Sequence, residues 1–403
     1  MINRIKKLIR ELIQYIAYKF LPTLKLCSGA KHYVLGDNAH YYVGYYDIDP
    51  ISPCGDYVLC HKVSLKYTNY SEPEMGAIGL LPISTTDKQF IEMGDTRALN
   101  WQLGSRLQWF TDGTIIYNDI VDGKQCAILF NIVSKKIERY FKRPFWAISP
   151  DSKIAVSLNF SRLLKNRPGY GYAGESPDGD EDLLTIFDVA TDIVLFQIDI
   201  NSLFNQLNFN IPNKADPYFN HVTWSPCSTK FITLFLFEDP VSGKRFSYPV
   251  MVNCLDFSVS LFHADGLFSH HVWLDSESLL AFLQLNGENV FAVCDEKYGW
   301  KKTLKNMPVL DGHPSIAINS KDIIVDSYPD RLGRMFLYKG SSDNSKHLET
   351  LAVLMNFKPY SGAQRCDLHP RVSLKEKYII CDAPLKDGRK ILLIDGVFNK
   401  ERG

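Results

Sequence analysis

Ser149-Pro-Asp-Ser-Lys-Ile-Ala-Val156 is a polar turn that runs straight into a short apolar strand. Ser, Pro and Asp favour the turn, and the aliphatic residues that follow favour extended backbone. The same cadence occurs as Ser52-Pro-Cys-Gly-Asp-Tyr-Val-Leu-Cys60, Asp112-Gly-Thr-Ile-Ile-Tyr117 and Ser225-Pro-Cys-Ser-Thr-Lys-Phe-Ile-Thr233. It returns as Asp275-Ser-Glu-Ser-Leu-Leu-Ala281, Asn319-Ser-Lys-Asp-Ile-Ile-Val325 and Ser373-Leu-Lys-Glu-Lys-Tyr-Ile-Ile380. Several copies are followed by a second strand ending near an acidic turn, as in Leu184–Val189, Phe291–Asp295 and Ile391–Asp395. The copies lie roughly 40 to 75 residues apart, and a four-stranded sheet needs about 40–50 residues, the size of a propeller blade. Seven such units from about residue 36 to 398 leave no room for a second domain. The reading is therefore all-β: a seven-bladed β-propeller over 31–403, preceded by an amphipathic N-terminal helix and linker over 1–30. An irregular pair of β-sandwiches is the alternative.

Composition agrees. The chain has 403 residues, 45% hydrophobic and 13% aromatic, enough apolar material for a full core and weighted toward β structure. The 45 basic and 45 acidic side chains cancel, whereas nucleic-acid binding normally needs a basic excess, so no nucleic-acid partner is expected. Nine cysteines, an odd number without a CxxC pair, read as reduced thiols and a cytoplasmic protein. No apolar run approaches the ~20 residues of a membrane span.

Residues 1–21 differ from the rest. Ile2, Ile5, Leu8, Ile9, Leu12, Ile13, Ile16 and Phe20 recur at helical spacing, with Arg4, Lys6, Lys7, Arg10 and Lys19 against the single acid Glu11. Glu11, Gln14 and Lys19 break the run that a signal peptide requires, so export is disfavoured. Two placements stay open: on an anionic membrane surface, making the protein peripheral on the inner membrane, or packed on the body of the protein. Pro22 stops the helix. A second irregular stretch, 160–182, holds Pro168-Gly-Tyr-Gly-Tyr-Ala-Gly174 and an acidic run to Asp182; its Gly and Pro punctuation predicts a long loop. Such a loop either decorates the ligand face or has no role.

The units share a slot just upstream of the turns. His221-Val-Thr-Trp224, His270-His-Val-Trp273, His313-Pro-Ser-Ile316 and His369-Pro-Arg-Val372 place histidine three residues before a large residue, and Arg106-Leu-Gln-Trp109 puts arginine there. One such histidine would be read as a structural hydrogen-bonding group. Four in register, among ten in the chain, point to a metal site or a general base. In Gln364-Arg-Cys-Asp-Leu-His369, Asp367 and His369 are two apart and share one side of a strand. With the Gln364 amide they make an oxygen-and-imidazole set suited to a divalent metal such as Mn²⁺.

These turns and slots resemble the TolB/WD40-like propellers and, more narrowly, the oligogalacturonate lyases, seven-bladed enzymes with a metal in the channel. The likeness implies Gln364, Asp367 and His369 as metal ligands, Asp367 replacing a histidine, with His270 or His271 from an earlier blade. It implies His221 as the catalytic histidine, and Arg106 fills the catalytic arginine's place only by its slot. Gly44-Tyr-Tyr-Asp47, Asn100-Trp-Gln-Leu-Gly104, Asp326-Ser-Tyr-Pro-Asp330 and Arg365-Cys-Asp-Leu-His369 also resemble propellers that accompany bacterial surface-polysaccharide synthesis genes. The resulting expectation is a polysaccharide-active enzyme, a lyase acting by β-elimination on uronic-acid oligosaccharide, with His313, Asp326, Arg331, Arg334 and Asp47 contacting sugar. A hydrolase using Asp47 and Asp326 is a variant of it. The alternative from another class is a non-catalytic propeller that binds a glycan or a protein partner in a membrane-associated synthesis complex.

Overall fold

The computed structural model describes residues 12–398 apart from 17, 69–74, 84–88, 263, 296–298, 344 and 358–359. Among these residues the chain forms seven antiparallel sheets in sequence, a seven-bladed β-propeller. Blade 1 occupies His40–Thr96, blade 2 Gln108–Phe141, blade 3 Ala147–Asp199, blade 4 Tyr218–Leu261 and blade 5 Phe268–Thr303. Blade 6 occupies Pro314–Met355, and blade 7 takes Arg371–Asp395. By contact the chain divides into Met1–Asp112 with Lys305–Gly403, and Gly113–Leu304.

The repeating serine has a local cause. Ser52, Ser149 and Ser373 each donate their backbone N–H to the carbonyl of the residue five positions on, at 2.9, 2.8 and 3.0 Å. Each hydroxyl then accepts that same residue's N–H, from Tyr57, Ile154 and Tyr378, at 3.0, 3.0 and 3.1 Å. In these three blades the turn between the first and second strands is thus closed by the backbone N–H and the hydroxyl of one serine. The second strand runs through the middle of its sheet and is buried on both faces, as in Val58–Cys60, Phe231–Phe237 and Ile379–Cys381. That explains why apolar runs rather than alternating patterns follow the turns.

In the first unit the two ends of the chain share a sheet. Lys31–Leu35 pairs antiparallel with Gly388–Asp395, register Leu35 to Ile391, as the outer strand of blade 7. Leu24–Leu26, inside the segment read as helix and linker, pairs with Glu349–Met355 and gives blade 6 a fifth strand. Leu35 is buried in a cluster with Val58, Tyr378 and Ile391. Residues 12–16 and 18–20 are helical, and Tyr18 stacks on Phe357 with ring centroids 4.0 Å apart. Ile2, Ile5, Leu8, Ile9 and the basic residues before Glu11 lie outside the described residues. No helix among the described residues is long and apolar enough to cross a membrane.

In the second unit the stretch 160–182 is a packed element rather than an open loop. Asn159 caps a helix over Phe160–Asn166, accepting from the Ser161 and Arg162 N–H groups. Its amide donates to the carbonyls of Gly179 and Glu181, closing the excursion at its far end. Tyr170 and Tyr172 are buried, and a Cβ on Gly171 would stand 2.0 Å from the Leu164 nitrogen, so only glycine fits there. Asp182 accepts the Phe219 N–H at 3.0 Å, with Arg162 Nε 3.7 Å away. Burial pushes the Asp182 carboxyl up to about 7, although Arg162 and the Phe219 N–H pull it the other way.

Two outcomes are expected from this architecture. Leu35→Ala removes a buried contact from the closing strand and should cost about 2–5 kcal/mol in urea unfolding, whereas exposed Lys31→Ala should not. Asp182 has a folded-state pKa raised above 3.8, so its contribution is full below about pH 4 and is lost as pH rises toward 7. Across that window the wild type should lose stability relative to Asp182→Asn, by up to about 1.4 kcal/mol per pH unit. Parallel pH profiles of the two proteins would refute the assignment.

Candidate functional site

The best-formed constellation lies in the first unit and is built on Asp326, the last residue of the second strand of blade 6. Its Oδ1 accepts the backbone N–H of His313 at 2.7 Å, and both carboxylate oxygens lie 3.0 Å from His313 Nδ1. Its Oδ2 accepts the backbone N–H of His369 at 3.2 Å. His369 Nδ1 pairs with the Gly44 carbonyl at 2.8 Å. Both imidazoles are therefore anchored through Nδ1, which assigns the proton to that nitrogen and leaves Nε2 as the ligand atom. The rings are 4.4 Å apart and nearly perpendicular.

Asp367 completes the group. Ligand atoms of His313, Asp367 and His369 lie within 4.8 Å of one another, and all three residues are buried. Asp367 Oδ2 takes a 2.8 Å bond from Arg365 Nε, which orients the carboxylate. Burial alone would lower the His313 pKa, but Asp326, Asp367 and Asp311 more than offset it and raise it above the ordinary value. The same negative surroundings make the imidazole a stronger ligand. Two imidazole nitrogens and a carboxylate fit a divalent cation of the Mn²⁺ type. Gln364 is buried three residues upstream of Asp367, and its backbone carbonyl accepts from Arg389.

The wall beside these rings comes from the segment after the first strand of blade 1. Tyr45 packs on His369 at 5.0 Å and Tyr46 on His313 at 5.2 Å, with Tyr328 5.9 Å from His313. Gly44 holds this segment close to Leu103: its φ is +119°, and a Cβ there would meet the Leu103 carbonyl oxygen at 2.5 Å. The Gly44 carbonyl also accepts from Arg371 Nη2, and Arg371 Nε donates to the Tyr45 carbonyl at 3.0 Å. Asp382 receives the Val43 N–H at 2.9 Å and lies 3.6 Å from Arg371. Sequence reasoning assigned no role to Tyr45, Tyr46, Tyr328, Arg371 or Asp382, although the Gly44-Tyr-Tyr-Asp47 motif contains the first two.

The other expected residues of this unit are Arg106, Asp47, Arg331 and Arg334. Arg106 is buried and makes a bidentate pair with Asp47, at 2.9 and 2.7 Å. Asp47 thus pairs with a guanidinium and Asp326 with an imidazole. Arg334 pairs with Asp330 at 2.7 Å and lies over Phe336; Arg331 is exposed on the same turn.

In the second unit His221 stands among Trp146, Tyr170 and His270, with ring centroids 5.4, 5.8 and 6.3 Å away. Tyr170 comes from the folded excursion, which gives that segment a place beside an expected catalytic residue. His270 and His271 lie on the first strand of blade 5; His270 faces His221, while His271 packs on Phe268 and pairs with the Ser269 carbonyl. His221 sits where the strand register slips between Asn220 and Val222, and its φ is +60°. His369 and Arg106 also have positive φ, 44° and 58°. A bulge in left-handed conformation re-aims a side chain that would otherwise follow the strand.

No family model matches the chain, and no curated protein matches it in sequence. Its structure is similar to an oligogalacturonate lyase in complex with manganese, with a TM-score of 0.62 at 13% identity, covering 93% of this chain and 96% of that one. It is similar to the oligogalacturonate lyase of Vibrio parahaemolyticus, with a TM-score of 0.61 at 13% identity, covering 92% and 96%. TolB from Acinetobacter baumannii aligns with a TM-score of 0.38 at 15% identity over 70% of this chain and 60% of that one, a likeness too loose to build on. At these identities the likeness is one of fold.

Replacing Asp326 by Asn keeps the size but removes the charge beside the His313 imidazole. If the cluster takes a divalent cation, the affinity measured by isothermal titration is expected to fall about 10- to 100-fold, with circular dichroism unchanged.

Proposed function

We propose that this protein acts on carbohydrate with the help of a divalent metal, as a lyase performing β-elimination on uronic-acid oligosaccharide in bacterial surface-polysaccharide metabolism. The observation that carries the reading is the convergence of His313, Asp367 and His369 within 4.8 Å, each imidazole anchored through Nδ1. Support for the reaction class comes from the fold shared with the oligogalacturonate lyases, one of which was solved with manganese.

In this reading His313, Asp367 and His369 hold the ion, with Gln364 the nearest amide in sequence. A bound Mn²⁺ supplies Lewis acidity that neutralises a uronate carboxylate and makes the neighbouring C–H more acidic. The chain's own residues do the rest of the positioning. Asp326 fixes the tautomer of His313 and the Gly44 carbonyl that of His369, Arg365 orients Asp367, and Tyr45, Tyr46 and Tyr328 offer an aromatic wall against which a sugar ring can rest. The general-base role that the resemblance implies for His221 is a separate matter and is tested separately.

The decisive measurement is metal content by mass spectrometry of wild type and His369→Ala, followed by absorbance at the unsaturated-uronate band with polyuronate oligomers. Bound metal in the wild type, lost in the variant, together with rising absorbance, supports the lyase. Metal with no turnover on any uronate oligomer moves the protein to the glycan-binding alternative. A wild type that holds no metal and ignores added Mn²⁺ sinks the proposal. His221→Asn should cut turnover at least about 100-fold while leaving Mn²⁺ affinity unchanged.

A further inference from the structure

Among the described residues the N-terminal helix is seated on the first unit by the face that carries Gln14 and Tyr18. Tyr18 stacks on Phe357, within a cluster that includes Tyr360 and Cys366, and Lys386 Nζ lies 5.0 Å from the Tyr18 ring. Gln14 runs alongside Gly333, its Cγ 3.5 Å from where a Cβ on that glycine would stand. At about 100° per residue, Gln14 and Tyr18 share a face and Leu12, Ile13, Ile16 and Phe20 lie opposite. Those four side chains are 58, 41, 48 and 81% exposed. A globular helix normally turns its apolar stripe inward; this one is docked by its more polar side and shows the stripe to solvent.

The sequence extends that stripe. Ile2, Ile5 and Ile9 continue the same steps of three and four residues ahead of Leu12, outside the described residues. Five basic side chains, Arg4, Lys6, Lys7, Arg10 and Lys19, accompany it against Glu11 alone. An apolar stripe flanked by cations matches the boundary between acyl chains and anionic headgroups. Two copies of the helix meeting face to face would bring like charges together, which disfavours a self-interface. We propose that this helix is an in-plane anchor that seats the propeller on an anionic lipid surface. The inference is independent of the metal site and of the reaction.

The test uses the full-length protein and vesicles of phosphatidylcholine, alone or mixed with phosphatidylglycerol, read by co-sedimentation. Binding to the mixed vesicles should exceed binding to the neutral ones at least about tenfold and weaken as salt is raised. Ile16→Ser combined with Phe20→Ser should lower it at least about tenfold, since both residues are exposed and the fold does not need them. Val241→Ser, at a still more exposed apolar residue in the second unit, should leave binding unchanged. Equal binding to both vesicle types, no binding, or a double variant that binds like the wild type would each overturn the proposal. A double variant that instead converts a dimer to a monomer in light scattering, with no lipid binding by either protein, would assign the face to a second copy and also overturn it.

Discussion

A buried carboxylate on Asp326 ties together two segments that are otherwise far apart in the chain. It meets His313 through both the ring and the backbone, and it meets the backbone of His369. An anionic group inside a protein is costly unless hydrogen bonds and opposite charge surround it. Here part of the compensation comes from His313 and His369 themselves, so one group sets the His313 ring and the backbone of both histidines. The Gly44 segment depends on it in turn, because its carbonyl holds the other imidazole while Arg371 and Asp382 fix the peptide from behind.

The architecture was legible because its signals are local. Where a serine marks the turn, as at Ser52, Ser149 and Ser373, it bonds to a residue five positions on, so the chemistry fits inside an eight-residue window. The histidine slot was legible for a similar reason, since each slot residue stands three positions before a large residue just upstream of the turn. Which imidazoles share a site was not. The sequence reading gave the earlier-blade ligand to His270 or His271 and a sugar contact to His313; the fold sets His313 beside Asp367 and His369. His221 sits at a bulge and His369 lies outside the strands, both with left-handed backbone, so no strand alternation reports where their side chains point. The stretch 160–182 read as a loop because its glycines suggest one. In the fold Gly171 allows a close approach that packs the segment, and Tyr170 and Tyr172 supply the apolar contacts.

The chemistry of the cluster also differs in kind from a histidine-only site. A carboxylate in the set adds negative charge and an oxygen ligand, which favours harder cations over zinc or copper. Arg365 partly balances that charge.

The closing sheet imposes an order of events on synthesis. The strand Lys31–Leu35 is made long before its partner Gly388–Asp395. The seat of the helix, Gly333, Phe357 and Lys386, also follows it by hundreds of residues. Until the partner is made, Lys31–Leu35 has no ladder to join, and its exposed edge must be kept from pairing wrongly. Loss of Gly388–Asp395 would deprive Lys31–Leu35 of its partner as well as blade 7 of an inner strand, and would leave an open sheet edge.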